Sequence, residues 1–459
     1  MNNRRKFLKD ITIGGAAITF MNSPLNSFGS KTAEKIRIGI IGVGSRGRLH
    51  MKELLKRTDV LVTAIADTDV NSIEKAKSIA KEMGSPEPAI FSNGNNDYRN
   101  LIKSEKVDAV IIATPWEWHM PQTIESMKAG KKVGLEVAGA IRLQDCWDLI
   151  NTYEQTRTEV MILENVCYRR DVMAILNMVQ KDRFGELLHL QGGYQHDLRA
   201  QLFNTSATCC DGVGFGPESI GSAKWRTAHY EKRNGEIYPT HQLGPIAMML
   251  DINRGNRLTK LSSISSQARG MNRYVANNSK GGPEHPNAKL KFKLGDIVTT
   301  QLQTYKGQTI VLTHDTSSPR PYNLGFRVQG TNGIWQEFHD GEPDKGQIYF
   351  EDASPSETWE NPKKYMETFD HPLWKKHEQK AVGAGHGGMD YFVINAFVEC
   401  IKAKQPFPLD VYDLATWYAI TPLSEASIQK GGQMVEIPDF TRGKWKTRKS
   451  FIHIKDQFV

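Results

Sequence analysis

A glycine-rich segment near the start of the chain has the spacing of a dinucleotide-binding loop. It is Gly42-Val43-Gly44-Ser45-Arg46-Gly47, which follows the apolar stretch Ile36–Ile41 and precedes Asp67, twenty residues beyond the last glycine. Gly42 permits a tight turn, Gly44 lets the backbone approach a pyrophosphate, and the following helix offers its free amides. We expect Asp67 to bind the adenosine ribose, with Asp69 as the alternative. A carboxylate there favours NAD over NADP, because a 2′-phosphate would face it.

A second candidate segment follows another predicted strand, at residues 107–113. It is Thr114-Pro115-Trp116-Glu117-Trp118-His119. Open α/β sheets bind their ligands at the carboxyl ends of strands. We therefore expect Trp116 or Trp118 to flank the cofactor, with the other tryptophan in the core.

The elements that must position these residues alternate between strand and helix, which predicts a doubly wound parallel sheet of the Rossmann type. The predicted strands are Ile36–Ile41, Val60–Ala66, 107–113, 132–137 and 160–163. The predicted helices are 48–56, 121–129 and Leu143–Thr156. In the second helix we expect Pro121 in the first turn and Gly130 just past the end.

The pattern changes after residue 165, where short apolar runs without regular helices between them predict one large, mostly antiparallel open sheet. These runs are 187–194, 261–267, 297–305, 309–313 and 325–329. Segments 204–222 and 271–287 predict loops, and helices return at 388–404 and Val411–Gln429. We expect an α/β protein with a leader (1–30), an NAD-binding Rossmann domain (31–165) and a substrate-binding α+β domain (166–459).

Residues 1–30 have the composition of an export leader. Arg4 and Arg5 precede the apolar stretch 11–20, which is shorter than the roughly 20 residues that span a bilayer. The twin-arginine translocase exports folded, cofactor-loaded proteins, so we expect a periplasmic or otherwise exported protein. A general secretory leader is the alternative. Because an external compartment lacks free nicotinamide nucleotides, NAD should be tightly bound and regenerated in each cycle.

The charge distribution and the cysteine content limit the classes of binding partner to expect. The formal charge is +8, but its basic residues concentrate in the leader and near the C-terminus, and no nucleic-acid module accompanies them. We therefore expect no nucleic-acid partner. The five cysteines have no metal-ligand spacing, so no metal site is expected, and the adjacent Cys209 and Cys210 are interpreted as ordinary loop or core residues.

Residues 36–165 resemble the Gfo/Idh/MocA oxidoreductases, in which a Rossmann domain precedes an open-sheet domain. That family carries Glu-Lys-Pro after the strand at 132–137, and the lysine is catalytic. Glu136-Val137-Ala138 stands in its place here, which disfavours a plain sugar dehydrogenase. A periplasmic sugar oxidoreductase with tightly bound nucleotide remains the alternative function, and an inactive nucleotide-sensing or carbohydrate-binding protein is a third. Exposed sheets in this superfamily often pair, so the expectation includes a homo-oligomer.

Four motifs together resemble glycoside hydrolase family 109, the NAD-dependent α-N-acetylgalactosaminidases, over residues 35–439. They are Glu136-Val137-Ala138-Gly139, Glu164-Asn165-Val166-Cys167-Tyr168, Tyr238-Pro239-Thr240-His241 and His386-Gly387-Gly388-Met389-Asp390. Besides the three glycines, the resemblance implies NAD contacts from Ser45, Arg46, Asp67, Trp116, Glu117, Trp118, His119, Glu136, Val137, Asn165 and Tyr238. It implies a sugar site formed by Tyr194, Arg226, Tyr238, Pro239, Thr240, His241 and Tyr322.

The resemblance also implies a redox-neutral hydrolysis of glycans that end in α-linked N-acetylgalactosamine. Hydride passes from sugar C3 to NAD+, and the resulting ketone acidifies the hydrogen on C2. A base removes that hydrogen, the aglycone leaves C1 by elimination, water adds, and the hydride returns to C3. NAD-dependent hydrolysis is a known exception to the two-carboxylate mechanism.

Two bases are needed for this chemistry. His241 is the candidate at the 3-hydroxyl, because its ordinary pKa lies near working pH. The resemblance implies Tyr194 at C2, with Tyr168 as the alternative. Tyr238 and His241 are three residues apart at a predicted helix start, so both can face one ligand. We expect Glu136 to orient cofactor or substrate; His386 is either a site residue or a capping or hinge residue.

Overall fold

A computed structural model describes residues 35–205, 212–338 and 346–450. The predicted leader and the pair Cys209-Cys210 lie outside the described residues. Cys146, Cys167 and Cys400 are buried free thiols. None of the described helices is long and apolar enough to cross a membrane.

The first sheet has six parallel strands in the order β3-β2-β1-β4-β5-β6. The strands are β1 (Ile36–Ile41), β2 (Val60–Ala66), β3 (Ala89–Phe91), β4 (Ala109–Ile112), β5 (Lys132–Leu135) and β6 (Val160–Ile162). The helices are α1 (Ser45–Leu55), α2 (Val70–Glu82), α3 (Tyr98–Lys103), α4 (Trp116–Lys128) and α5 (Leu143–Thr156). Every residue of β4 is buried, as expected for a central parallel strand covered on both faces.

The prediction for α4 is wrong at its start. The helix begins at Trp116, directly after Pro115, and Pro121 therefore lies inside it rather than in its first turn. Pro115 occupies the N-cap, so the proline signal that marks the helix start belongs to Pro115. Pro121 is exposed, so water can reach the Glu117 carbonyl that its missing N–H leaves unbonded. Similarly, α1 begins at Ser45, earlier than the predicted residue 48.

The second sheet has eight strands in the order β13-β12-β11-β7-β10-β9-β8-β14. They are β7 (Leu187–Gln195), β8 (Leu258–Ser265), β9 (Ile297–Thr304), β10 (Thr309–Asp315), β11 (Arg327–Gly330), β12 (Gly333–Glu337), β13 (Gly346–Phe350) and β14 (Val435–Glu436). Among the strand pairs that the structure describes in this sheet, only β7–β10 is parallel. The predicted fold class is confirmed, although β12, β13 and β14 were not predicted.

Ten helices accompany this sheet in the described part of the chain. They are α6 (Arg170–Gln180), α7 (Arg199–Leu202), α8 (Thr227–Lys232), α9 (Thr240–Met249), α10 (Gly270–Asn277), α11 (Pro286–Lys289), α12 (Lys363–Thr368), α13 (Pro372–Ala381), α14 (Met389–Ala403) and α15 (Val411–Gln429). The predicted loop at 271–287 is wrong where α10 lies. Met271 and Val275 are four residues apart and both buried, so apolar burial outweighs the loop-forming composition around them.

Two helices connect the first sheet to the second. α9 packs against β7 of the second sheet and against the 3₁₀ turn Asn165–Tyr168, which follows β6 of the first sheet. α15 packs against α5 and β8, and its Tyr418 hydroxyl donates to the backbone carbonyl of Glu136 after β5. Side chains from both sheets can therefore face one ligand.

Candidate active site

The glycine loop has the backbone geometry that a dinucleotide needs. Gly42 has a φ of +87°, and a Cβ there would lie 2.8 Å from the backbone of Ala113. A Cβ on Gly47 would lie 1.9 Å from the Gly42 carbonyl oxygen, so only glycine lets α1 pack so close to β1. A Cβ on Gly44, in contrast, would meet nothing within 4 Å. That open space is where a pyrophosphate would lie against the first turn of α1.

Asp67 and Asp69 have different roles in the described structure. Asp67 follows β2, and its two carboxylate oxygens accept from the backbone amides of Val43 (2.7 Å) and Asp69 (2.9 Å). Asp69 caps α2 by accepting from the amide and hydroxyl of Ser72, and these bonds lower its pKa. Both carboxylates line the same cavity and both accept hydrogen bonds within the protein, so Asp67 stays the ribose candidate on its position directly after β2, with Asp69 as the alternative.

A cavity of about 450 Å³ lies along the carboxyl edge of the first sheet. It is lined by the glycine loop, by Asp67 and Asp69, and by Trp118 and Trp225. Because it runs between the open side of Gly44 and the Asp67 carboxylate, its shape and chemistry fit the adenosine and pyrophosphate parts of NAD. Trp118 thus faces the cofactor cavity, whereas Trp116 is 5% exposed and packs among aromatic side chains.

Arg46 is the centre of a buried network of charges. Its Nε donates to Oε1 of Glu136 at 2.7 Å, and its Nη1 and Nη2 donate to the two carboxylate oxygens of Asp390 at 2.8 and 3.0 Å. Nε2 of His50 lies 2.5 Å from the same Glu136 oxygen. Burial alone would raise the pKa of Glu136, but Arg46 and His50 hold it well below its usual range. Glu136 is therefore ionised and cannot donate a proton.

The remaining predicted cofactor residues surround this network. Asn165 is buried and donates from Nδ2 to Asp390 at 2.9 Å. Val137 is buried and donates its amide to the Glu136 side chain. His119 is bonded to the Thr114 carbonyl and faces the Tyr418 hydroxyl; burial lowers its pKa to about 4, so it is neutral. Glu117 is the outlier, half-exposed and 3.5 Å from His229.

The predicted sugar residues form an aromatic cluster. The rings of Tyr194 and Tyr238 stack with centroids 4.4 Å apart. The His241 ring lies 5.3 Å from Tyr194 and 5.0 Å from Tyr238. Tyr322 lies 6.3 Å from Tyr194, at the margin of the cluster. Trp116 lies 5.8 Å from Tyr238, and so connects the cluster to the segment that follows β4.

His241 is oriented by a buried carboxylate. Its Nδ1 lies 2.8 Å from Oε1 of Glu164, a fully buried residue that also accepts from the amide of Val166. Since a carboxylate only accepts, Nδ1 carries the proton and Nε2 is left as the basic nitrogen. The geometry is that of a base whose second nitrogen is held by an acidic partner.

Arg226 lies against the same aromatic cluster. Its guanidinium is 4.8 Å from the ring centroids of Trp116 and Tyr238 and 5.9 Å from that of Tyr194. Nε and Nη2 are buried and have no hydrogen-bond partner among the described residues. A buried cation with free donors is suited to bind sugar oxygens and to stabilise negative charge that develops on them.

The two tyrosines considered for C2 differ in position. Tyr168 stacks on Phe392 in the core, with centroids 6.4 Å apart. Tyr194 lies in the aromatic cluster, where burial raises its pKa and nearby Arg226 opposes that rise. The structure therefore keeps Tyr194 as the candidate, protonated in the free protein and placed where a cation favours its ionisation.

Pro239 and Thr240 form the start of helix α9 in this structure. Pro239 caps α9 and Thr240 begins it, with its hydroxyl buried and unbonded among the described residues. Glu236 accepts from the amide of Tyr238 and is fully buried, which raises its pKa to about 8. These contacts fix the turn that brings Tyr238 and His241 to the same side.

Sequence reasoning missed several residues at the site. Glu164 and Asp390 stand inside quoted motifs, but neither was given a role. His196 lies two residues beyond Tyr194, directly after the end of β7, and its ring is 4.7 Å from that of Tyr322. The alternation of a strand places residues two apart on one face, so this histidine could have been found from the sequence.

Comparison with known proteins gives two matching family models. One is the C-terminal domain of glycosyl hydrolase 109, over residues 168–447. The other is the NAD-binding Rossmann fold of an oxidoreductase family, over residues 36–163. Together they match the two halves that carry the sugar cluster and the glycine loop.

Individual relatives agree with these models. The chain is 48% identical to a glycosyl hydrolase family 109 protein of Stenotrophomonas maltophilia, over 97% of both chains. It is 43% identical to an α-N-acetylgalactosaminidase of Tannerella forsythia, over 98% of both. A solved levoglucosan dehydrogenase in complex with NADH and levoglucosan covers 88% of this chain and all of its own, with a TM-score of 0.62 and 17% identity. This last similarity shows the fold alone.

Proposed function

Because the chain belongs to glycosyl hydrolase family 109, we propose that it removes terminal α-linked N-acetylgalactosamine from glycans by an oxidation, elimination, water-addition and reduction cycle. The chain is a glycoside hydrolase with an NAD-binding Rossmann domain. The relative of Tannerella forsythia named for this sugar supports the choice of substrate.

One observation carries the proposed mechanism: the buried Glu164 holds His241 against Tyr194 and Tyr238, whose rings Arg226 also contacts. The lysine of related sugar dehydrogenases is replaced by the buried, apolar Val137. Proton transfer must therefore come from the histidine and the tyrosines, which lie on β7 (Tyr194), in the turn before α9 (Tyr238) and on α9 (His241).

The residues would act in the following order. NAD, when bound, supplies an acceptor for the C3 hydride and later its source. Nε2 of His241 takes the proton of the 3-hydroxyl, and Glu164 holds the Nδ1 proton and stabilises the imidazolium. Tyr194 loses its own proton to solvent, aided by the nearby Arg226 cation, and then takes the proton from C2. The free donors of Arg226 stabilise the oxygen at C3 as the enolate forms. The C1–O bond breaks and its electron pair leaves with the aglycone oxygen. Water then adds its hydroxyl to C1 and its other proton goes to the aglycone oxygen, while Tyr194 returns a proton to C2. His241 returns its proton to O3 as the hydride returns to C3.

We also propose that NAD remains bound through this cycle. The proposal rests on the expected export, since an exported enzyme meets no pool of fresh cofactor. The leader that motivates it lies outside the described residues. The network around Arg46 is a second argument that NAD remains bound, because it anchors the glycine loop to Asp390 in the second half of the chain.

The decisive experiment uses the purified full chain without added NAD. We expect it to release the aglycone from a chromogenic α-N-acetylgalactosaminide in deuterated water, with deuterium appearing at C2 of the sugar. Release without deuterium would exclude the elimination step. Reduction of the bound nucleotide by free sugar, without release of an aglycone, would instead favour a sugar oxidoreductase.

A further inference from the structure

We propose that Asp390 is a positioning residue that sets Arg46 and Asn165 for the nicotinamide half of NAD; this inference rests on the proposed function. Asp390 is the second residue of α14, far along the chain from the Rossmann sheet, and it is fully buried. Its carboxylate bonds two residues, Arg46 and Asn165, for which the family resemblance implies contacts with NAD. It therefore acts on the cofactor site from outside the Rossmann sheet.

The contacts of Asp390 account for both of its oxygens. Oδ2 accepts from Nη1 of Arg46 and from Nδ1 of His386, each at 2.8 Å. Oδ1 accepts from Nη2 of Arg46 at 3.0 Å and from Nδ2 of Asn165 at 2.9 Å. His386 and Arg46, which is also bonded to Glu136, hold the pKa of Asp390 well below its usual range against the effect of burial.

These bonds decide what Arg46 and Asn165 present to a ligand. All three guanidinium nitrogens of Arg46 already donate to carboxylates, so its charge is compensated inside the protein. Its contribution to a pyrophosphate is then the backbone amide in the first turn of α1, which has no intrahelical acceptor. Asn165 must turn its Nδ2 toward the Asp390 carboxylate, which leaves its Oδ1 as the atom available to the cofactor.

The strand order shows which half of the cofactor is involved. In the order β2-β1-β4-β5-β6, Asp67 follows β2, Glu136 follows β5 and Asn165 follows β6. A dinucleotide that lies along this edge with its adenosine ribose at Asp67 has its other half beyond β4. Asp390 bonds Asn165 directly and is linked to Glu136 through Arg46, and both of these residues follow strands beyond β4, so its effect should fall on the nicotinamide half.

The segment before α14 is built around this carboxylate. A Cβ on Gly385 would lie 2.2 Å from Oδ2 of Asp390. The next three residues, His386, Gly387 and Gly388, all have positive φ values, of 52°, 65° and 99°. His386 adopts a backbone conformation that is unfavourable for a residue with a Cβ, and its ring is held by Asp390. The glycines therefore let the chain fold tightly over the buried acid.

The test compares two probes on nucleotide-free protein, NAD+ and AMP, by calorimetric titration. AMP occupies only the adenosine end near Asp67. Asp390→Asn places an amide N–H where two donors now point. We therefore expect the Kd for NAD+ to rise by roughly tenfold or more, the usual effect of removing a residue that orients a ligand-binding side chain. The Kd for AMP should change by less than about twofold.

Asp413→Asn is the matched control. Asp413 is also a buried acid in the first turn of a helix, with both oxygens bonded to one arginine (Arg254, 2.7 Å each) and a further contact from Asn253. Asp413, Arg254 and Asn253 are not among the residues that line the cofactor cavity. This variant should lose thermal stability like Asp390→Asn while keeping the wild-type Kd for NAD+.

An unchanged Kd for NAD+ in folded Asp390→Asn would overturn the proposal, and so would an equal loss for AMP and NAD+. If that variant fails to fold, Gly385→Ala displaces the carboxylate without removing it and should weaken NAD+ selectively. Its φ of −57° accepts alanine, so unchanged NAD+ affinity in Gly385→Ala would then count against the proposal. Failure of the proposed function is distinguishable, because a wild type that binds NAD+ but releases no aglycone leaves this comparison intact.

Discussion

Glu164→Gln is the most direct test of the base assigned to His241. The substitution keeps the size of the side chain and one acceptor for Nδ1, but removes the negative charge that the imidazolium would face. At an effective dielectric constant of about 20, opposite unit charges 2.8 Å apart attract by about 6 kcal/mol. If the amide dipole retains about half of this, the barrier rises by about 3 kcal/mol, which lowers kcat by about 100-fold.

Two assays separate the steps. Steady-state hydrolysis of a chromogenic α-N-acetylgalactosaminide gives kcat and KM, and stopped-flow absorbance of the bound nicotinamide gives the rate of C3 oxidation. Both kcat and the oxidation rate should fall together, with KM and nucleotide content nearly unchanged. This pattern is expected because the charge matters only after His241 has accepted the proton.

Glu337→Gln is a control for loss of a buried glutamate. Glu337 is buried, accepts from Arg169 at 2.7 Å and from the amide of Phe326 at 3.0 Å, and contacts none of the predicted site residues through these bonds. It should lower the Tm but keep kcat. The reasoning about Glu164 is refuted if Glu164→Gln retains kcat within about threefold of wild type with nucleotide bound.

Two further predictions follow from buried and open positions. The folded protein keeps Glu236 protonated up to about pH 8, whereas the unfolded chain loses that proton above its ordinary pKa of 4.5. Between these two values the folded state binds more protons, so the free energy of unfolding of the wild type falls as pH rises. This group lowers it by up to about 1.4 kcal/mol per pH unit. Glu236→Gln should remove this loss. In urea unfolding, the free energy of unfolding of the variant relative to wild type should therefore be larger at pH 8 than at pH 5. The same difference at both pH values would contradict the raised pKa of Glu236. Gly44→Ala should leave the Tm unchanged, because its Cβ meets nothing within 4 Å, but should abolish NAD+ binding in titrations; normal binding would mean that the pyrophosphate lies elsewhere.

The fold was largely predictable because the first sheet is built from local signals. Ile36–Ile41 and Val60–Ala66 were predicted with the observed bounds, since continuous apolar runs mark strands buried on both faces. The errors arose where a local signal was ambiguous. Pro115 and Pro121 each satisfy the rule for a helix start, and the loop-like composition around α10 hid the pair of buried residues that makes it helical.

The site was predictable as a set of residues but not as a set of contacts. The glycine loop and the Tyr238–His241 turn are local in sequence, and their spacing carries the geometry. The bond from Arg46 to Asp390 joins residues 344 positions apart, and that from Glu164 to His241 joins residues 77 apart. Such pairs depend on how α9 and α14 pack against the first sheet, which no local pattern specifies.

The hydrogen bonds of the buried acidic residues give an independent reason to prefer the redox route over a two-carboxylate mechanism. A glycosidase of the usual kind needs one protonated carboxyl as acid and one ionised carboxylate as nucleophile or base. Glu136 is ionised and engaged by Arg46 and His50, and Glu164 is engaged by His241 and Val166. Glu236 has the raised pKa of a general acid, about 8, but it is fully buried and bonded to the Tyr238 backbone. Each of these three acids thus orients a neighbour, and the groups left to move protons at the sugar are His241 and Tyr194.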